Sequence, residues 1–466
     1  MSRISVLNPL NQESIGTVAK TEWETLDSYL QQASDLHKDK SQHLAAHERS
    51  AILVRCAQLM REEQDELALL IASEGGKPLK DAQVEVMRAI DGVELCVKEL
   101  LHLRGEQIPM DLTAAGAGRL AFTYHEPIGP VLAISAFNHP LNLIVHQVAP
   151  AVAVGCPILV KPANDTPLSA QRFVQLLYQA GLDEQWCRFF LCDREYSERL
   201  VSDQRTAFLS FIGSAKVGWY LRSKLAPGAR CALEHGGAAP VIVDESADFS
   251  SMIPLLCKGG FYHSGQVCVS VQRIFAHSSI AKQLAVSLAK QAEQLVVGDA
   301  RDINTDCGPL IRPAECKRVG EWVDEARDSG AEILCGGQTL SETLYAPTVI
   351  FNPSKSLKVS QLEIFGPVVC VYSYDDIQDA FENANDVSYS FQASVFTNDL
   401  NVALTSQHKL EASAVMVNDH TAFRVDWMPF AGRKQSGYNV GGIAYTMHDM
   451  SEEKMVVIKL PDDRAK

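Results

Sequence analysis

Residues 127–161 read PIGPVLAISAFNHPLNLIVHQVAPAVAVGCPILVK, and no Asp, Glu, Lys or Arg occurs from 127 to 160. That length would suit a membrane-spanning helix. Pro127, Pro130, Pro140, Pro150 and Pro157 break it, and Asn138, His139, Asn142, His146 and Gln147 interrupt the apolar run. A bilayer span tolerates one such break, not a series. The stretch therefore reads as a buried strand over 131–134, a turn, an apolar helix over 141–154 and a second buried strand over 158–160. Short apolar strands without alternation belong to parallel sheets covered on both faces.

The same alternation extends in both directions. Upstream, helices are expected over 47–74, stopped by Gly75-Gly76-Lys77-Pro78, and over 81–102. Downstream come a helix over 168–180 and strands over 189–191 and 207–212, the last running into Gly213. After 236 the pattern restarts, with strands over 241–243, 272–276, 333–335, 368–373 and 392–396 and helices over 250–262, 280–296 and 376–385. Two α/β domains follow from this, with no long polar linker, so a cleft between them is the expected site. Residues 116–126 and 454–460 alternate apolar and polar outside that pattern. They are either surface strands of a monomer or strands that pair with another subunit.

Composition narrows the function. The chain has 466 residues, 46% hydrophobic and 21% charged, with a formal charge of −15. A nucleic-acid binder relying on bulk charge is excluded, and so are disordered and fibrous chains. Twelve cysteines without a CxxC pair, and thirteen histidines without HExxH, support neither a disulfide scaffold nor a metal site. The N-terminal residues hold no apolar signal segment. A cytoplasmic protein without a membrane or nucleic-acid partner is expected.

Candidate chemistry lies mostly at strand ends. Asn138 and Lys161 follow buried strands, where α/β sites form, and a neutral amide there can donate to an oxyanion. Gly213-Ser214 follows a strand and opens a helix, a place suited to phosphate. Glu234 in Leu233-Glu-His-Gly-Gly237 can project as a general base. Cys268 in Gly265-Gln-Val-Cys268 sits three residues after a glycine turn and can act as a nucleophile. Each of these signals is weak alone; a buried cysteine or a turn asparagine is the commoner reading.

Their order and spacing resemble the aldehyde dehydrogenase superfamily over nearly the whole chain. The resemblance rests on Gly129-Pro-Val-Leu-Ala-Ile134, Asn138-His-Pro140, Lys161-Pro-Ala163, Phe211-Ile-Gly-Ser214, Leu233-Glu-His-Gly-Gly237 and Gly265-Gln-Val-Cys268. Val297-Gly-Asp299, Asp306-Cys-Gly-Pro309, Glu363-Ile-Phe-Gly-Pro367 and Pro429-Phe-Ala-Gly432 complete it. It implies a Rossmann-like cofactor-binding domain over 1–110 and 128–235 and a catalytic α/β domain over 236–430. The remaining 111–127 and 431–466 would form a small β oligomerisation element and the tail of a homodimer or homotetramer.

By that resemblance Cys268 attacks the aldehyde, Asn138 holds the oxyanion and Glu234 activates the water that hydrolyses the thioester. Ile134, Phe137, Lys161, Asn164, Gly213, Ser214, Glu363 and Phe365 would bind NAD or NADP. A glutamate often stands where this chain has Asn164, and its absence makes NADP plausible. His139, Arg424 and Phe430 would line the pocket of a short, hydroxylated or acidic aldehyde, unless Arg424 merely pairs with Asp426. Apolar Val267 and Val269 beside the thiol supply no second cation, which weakens the case for a phosphonate. The alternatives are a CoA-acylating dehydrogenase, disfavoured by Glu234, a non-catalytic family member, and a thiol hydrolase without redox chemistry.

Overall fold

The computed structural model describes residues 2–461. Its architecture is α/β throughout the body, built on two large sheets. The first has six strands, ordered Gly437–Tyr438, Arg230–Glu234, Phe208–Ile212, Val131–Ile134, Ile158–Lys161, Cys187–Phe189. All its pairings are parallel except that of Gly437–Tyr438 with Arg230–Glu234. Val131–Ile134 is buried along its whole length, as its sequence requires.

The chain leaves Val131–Ile134 through the helix Asn142–Val154 to Ile158–Lys161 on one side and later returns to Phe208–Ile212 on the other. That is a topological switch point, which opens a crevice at the carboxyl ends of the strands. Two buried glutamates shape this region from outside the sheet. Glu85 accepts the backbone N–H groups of Leu141 and Asn142, both at 3.0 Å, and so caps the helix Asn142–Val154. Glu74 does the same for Leu168 and Ser169, at 2.7 and 2.9 Å. Each carboxylate satisfies N–H groups that a helix start leaves unpaired.

The second sheet has seven strands, ordered Glu332–Cys335, Thr348–Phe351, Val368–Tyr374, Val271–His277, Ala239–Val243, Gln392–Phe396, Ala414–Val417. It is parallel apart from its first pair. A separate antiparallel sheet joins Ser451–Lys459, Arg119–Pro127 and Gln107–Ile108.

Three expectations need correction. The helix expected over 47–74 is two, Ala46–Glu62 and Gln64–Gly75, broken at Glu63 with φ −111° and ψ 17°. Asp65 and Glu66 favour the start of a new helix there, and Arg172 clasps the Glu63 carboxylate. The residues 431–466 do not all belong to the small sheet. Gly437–Tyr438 extends the six-stranded sheet, and Ile443, Met447 and Met450 join its core. Finally, the strand over 189–191 is Cys187–Phe189.

Candidate active site

The cleft lies where the carboxyl ends of the first sheet meet the amino ends of the second. Asn138, Lys161, Gly213 and Glu234 all stand at or just beyond carboxyl ends of six-stranded-sheet strands. Cys268 and Glu363 stand just before Val271–His277 and Val368–Tyr374 of the other sheet. The geometry brings Cys268, Glu234, His139, Arg424 and Phe430 together around one cavity.

The thiol is presented by a strained turn. His263 and Ser264 have φ of 48° and 54°, and Gly265 follows at 70°. A side chain at Gly265 would also run into the Gly366 carbonyl, so two constraints demand glycine there. Gln266 anchors the turn: its Oε1 accepts from Ile311 N at 3.0 Å. Asn138 is buried and donates from Nδ2 to the Gln266 carbonyl at 2.8 Å. That bond uses one amide hydrogen and aims the side chain at the turn carrying the thiol; the second hydrogen is left for an oxyanion.

Three acids set the electrostatics. Burial pushes the Cys268 thiol up to about 12, helped by Glu363 and Glu234 and opposed by Arg424. Burial also pushes Glu234 up to about 7, against the pull of Arg424. Glu363 is raised to about 8 by burial, despite an N–H bond from Gly237. Its Oε1 is buried without a partner and lies against Gly236, where any side chain would collide. An unpartnered buried carboxyl costs free energy unless something else pairs with it. A sugar hydroxyl is a suitable donor.

The other cofactor candidates form a second group. Lys161 lies 3.3 Å from the Asn164 carbonyl oxygen, and burial lowers its pKa. Ser214 stands at the N-terminus of the helix Ala215–Arg222, and its side chain caps nothing. Phe137 and Phe365 meet edge to face at 5.7 Å, with Ile134 buried at the strand end beside Lys161. His235 also finds its explanation: its Nδ1 bonds the Gly213 carbonyl at 2.8 Å, while Gly213 N donates to the Glu234 carbonyl at 3.0 Å. His235 thus ties the Gly213-Ser214 turn to the strand bearing Glu234.

With the site in view, the chain was compared with known proteins, and the aldehyde dehydrogenase family profile matches residues 1–456. The chain belongs to the aldehyde dehydrogenase family. It is 35% identical over 459 residues to the 3-sulfolactaldehyde dehydrogenase of Priestia aryabhattai, covering 98% of this chain and 95% of the relative. Aldehyde dehydrogenase 21 from Physcomitrella patens, solved with its reaction product succinate, superposes with a TM-score of 0.95 at 34% identity, covering 98% and 95% of the two chains. Glyceraldehyde-3-phosphate dehydrogenase from Methanocaldococcus jannaschii, solved with NADP, superposes at 0.93 with 33% identity and coverages of 98% and 99%.

The pocket of this family member contains residues the sequence reading passed over. Arg88 holds Asp426 with two bonds, Nε to Oδ2 at 3.0 Å and Nη2 to Oδ1 at 2.7 Å. His146 Nε2 and Asn142 Nδ2 reach the same Oδ1 at 2.8 and 3.4 Å. These partners hold the Asp426 carboxyl well below its ordinary range, despite burial. Asn142 and His146 stand one helical turn apart in a helix whose one other polar side chain is Gln147. That spacing was the available signal for a polar stripe facing a site. Arg88 lies on a helix readable only as amphipathic, and nothing in its neighbours marks it.

Arg424 does not pair with Asp426, which Arg88 and His146 already occupy. Its guanidinium stacks on the Phe430 ring at 3.7 Å, and Phe430 packs on Phe391 at 4.4 Å. Arg424 Nη1 is buried and has no hydrogen-bond partner among the described residues. No group of three or more His, Cys, Asp or Glu among the described residues is placed to hold a metal. Among the described residues no helix is long and apolar enough to cross a membrane.

Proposed function

We propose that the protein oxidises a short aldehyde bearing a terminal anion to the carboxylic acid, using NAD or NADP. The observation that carries the substrate class is Arg424: a half-buried guanidinium beside the thiol, its Nη1 unpartnered. The nearby cations are otherwise matched, Arg88 by Asp426 and Lys77 by Glu85. A buried unpaired cation is costly, and a substrate sulfonate, carboxylate or phosphate would satisfy it. The names of the relatives fit: sulfolactaldehyde and glyceraldehyde 3-phosphate are both short aldehydes with a terminal anion.

Cys268 supplies the nucleophile: its proton passes to the Glu234 carboxylate and on to solvent, and its sulfur bonds the aldehyde carbon. The oxygen left negative is held by the free hydrogen of the Asn138 amide and the Cys268 N–H. What the bound dinucleotide supplies is the hydride acceptor for the carbon attached to sulfur. Lys161 and Asn164 would hold its adenosine ribose, Gly213-Ser214 its pyrophosphate and Glu363 its second ribose, with Ile134, Phe137 and Phe365 as apolar walls. Glu234, with a pKa near neutrality, accepts the proton of the water that frees the acyl group. Its presence favours water over CoA as the acceptor. In this reading the domain of residues 1–110 and 128–235 carries most of the cofactor contacts, and 236–430 carries the thiol together with Glu363 and Phe365.

Assembly and location follow from separate features. Leu120, Phe122 and Ile458 are exposed on one face of the three-stranded sheet, where Leu120 lies opposite Ile458, an apolar patch suited to a second copy in a dimer or tetramer. Twelve cysteines, all free, suit the reducing cytoplasm.

The test is a panel of aldehydes matched in length, neutral and anionic, with NAD and NADP. Anionic members should lead by tenfold or more in kcat/KM, about 1.4 kcal/mol. Arg424→Met should erase that lead, mainly through KM. Equal rates for neutral and anionic aldehydes in the unaltered enzyme would remove the anion from the proposal.

A further inference from the structure

We infer that Lys77 fixes His139 as a neutral Nε2–H donor that reads a hydroxyl on the carbon next to the aldehyde. This inference rests on the aldehyde reading above and names a feature of the substrate that Arg424 does not select.

The geometry begins beneath the cleft. Lys77 and Glu85 form an ion pair with no side-chain exposure on either partner. Glu85 is held in place by the Leu141 and Asn142 N–H groups, at the start of the helix that follows the Asn138 turn. Lys77 Nζ also lies 2.7 Å from His139 Nδ1. The Glu85 oxygen is farther from that nitrogen, at 3.6 Å. Paired with a buried carboxylate, the lysine is an ammonium, which has donors only. His139 Nδ1 must therefore accept, and the ring proton sits on Nε2.

His139 lines the same cavity as Cys268 and Arg424, with 12% of its side chain exposed. Its Nε2 has no protein partner among the described residues, and it is not sealed from the cavity. The ring is braced by Tyr262 and His263, at 6.2 and 6.3 Å between centroids. Burial and the Lys77 charge push its pKa down to about 4, so the ring is neutral near pH 7.

These constraints select the ligand group. A neutral N–H is a poor competitor for an anion when the Arg424 guanidinium is available. It is well suited to the oxygen of a hydroxyl. His139 lines the cavity that also holds the Cys268 thiol, so its ring faces the region next to the carbon that sulfur attacks. The substituent reached from there is the one on the adjacent carbon. A site that must hydrogen-bond a hydroxyl discriminates against the analogue lacking it, because its donor is then left unpaired. Lys77 touches no substrate; it is a positioning residue acting through His139.

The experiment compares 2-hydroxypropanal with propanal in four proteins: unaltered enzyme, His139→Leu, His139→Gln and the charge-neutral Lys77→Met/Glu85→Gln pair. The unaltered enzyme should favour the hydroxyaldehyde tenfold or more in kcat/KM. His139→Leu should reduce that ratio to near one. His139→Gln, whose amide nitrogen can take the place of Nε2, should restore most of it. The Lys77→Met/Glu85→Gln pair should narrow it. In parallel, nitrogen NMR of ring-labelled histidine, assigned by the signal lost in His139→Gln, should show Nε2 protonated and Nδ1 bare. A mixture of tautomers is expected in the paired variant. An unchanged ratio in His139→Leu, or a proton on Nδ1, overturns the inference. If no aldehyde is oxidised, the aldehyde reading fails instead, and the NMR arm still decides the state of the ring.

Discussion

Glu234→Gln should stabilise the protein, and the gain should depend on pH. Burial raises the Glu234 carboxyl from its ordinary 4.5 to about 7. Below about pH 4.5 the group is protonated whether the chain is folded or not, and it contributes no difference. Between 4.5 and 7 the unfolded chain releases the proton while the folded chain keeps it, so stability falls as pH rises. Above 7 the folded chain carries a buried anion and the loss is complete. The shift corresponds to about 3 kcal/mol. The carboxyl borders the cleft, so solvent screening reduces this to roughly 2 kcal/mol. Glutamine keeps the shape and never ionises. For a cooperative unit of about 250 residues, that amounts to a Tm difference of roughly 4 °C. Melting curves of the cofactor-free proteins at pH 5 and pH 8 measure it. Glu74 and Glu363 are raised in the same way, but both are present in the two proteins and cancel. A gap of equal size at both pH values would refute the reasoning, because only an ionisable buried group makes it grow. The same variant should accumulate acyl-enzyme and turn over about 100-fold or more slowly.

Two further substitutions address separate parts of the site. Asn164→Glu places a carboxylate within reach of Lys161 and should move the NADP-to-NAD ratio of kcat/KM toward NAD by tenfold or more, about 1.4 kcal/mol; an unmoved ratio would show that Asn164 is not the selector. Asn138→Ala removes the side-chain oxyanion donor and should lower kcat by about 100- to 1,000-fold with little change in cofactor Kd measured by tryptophan quenching.

The strands and helices nearest the site were legible because their signals are local. Val131–Ile134 is an apolar run bounded by turn residues, Gln392–Phe396 is a short mixed strand, and the structure has both at the expected bounds. The strand Thr348–Phe351 and the helices Pro313–Asp328 and Leu400–Lys409 gave weaker patterns and were not anticipated. The rule that α/β sites lie at carboxyl ends of strands points to Asn138 and Lys161, which stand at such ends, but says nothing of Cys268. The thiol stands at the amino end of its strand, because the second sheet offers its opposite edge to the cleft. Arg88 and Lys77 were invisible for a different reason. Each does its work through a residue far away in the chain, Asp426 for Arg88 and His139 for Lys77. No spacing rule reaches across such separations, whereas Asn142 and His146 on one helix face could have been read.

The charge balance of the cleft links substrate affinity to the state of the base. Arg88 is matched by Asp426 and Lys77 by Glu85, which leaves Arg424 and Glu234 as the unmatched pair. With Glu234 protonated, the cleft carries one free positive charge, the state in which the proposed anionic aldehyde should bind best. Once Glu234 ionises, its charge competes for Arg424 and opposes the substrate. The two carboxylate states interconvert near pH 7. KM for an anionic aldehyde should therefore rise as pH passes through about 7, by several-fold per unit at most, while KM for a neutral aldehyde of the same length stays level. Binding the anion should also raise the pKa of Glu234, since it withdraws the cation that favours the ionised form. The acid limb of kcat should then sit at higher pH for the anionic substrate than for the neutral one. Initial rates across pH 6–9 with both substrates separate the effects. Parallel KM profiles would mean that Arg424 and Glu234 do not share a charge, and that the anion is held elsewhere.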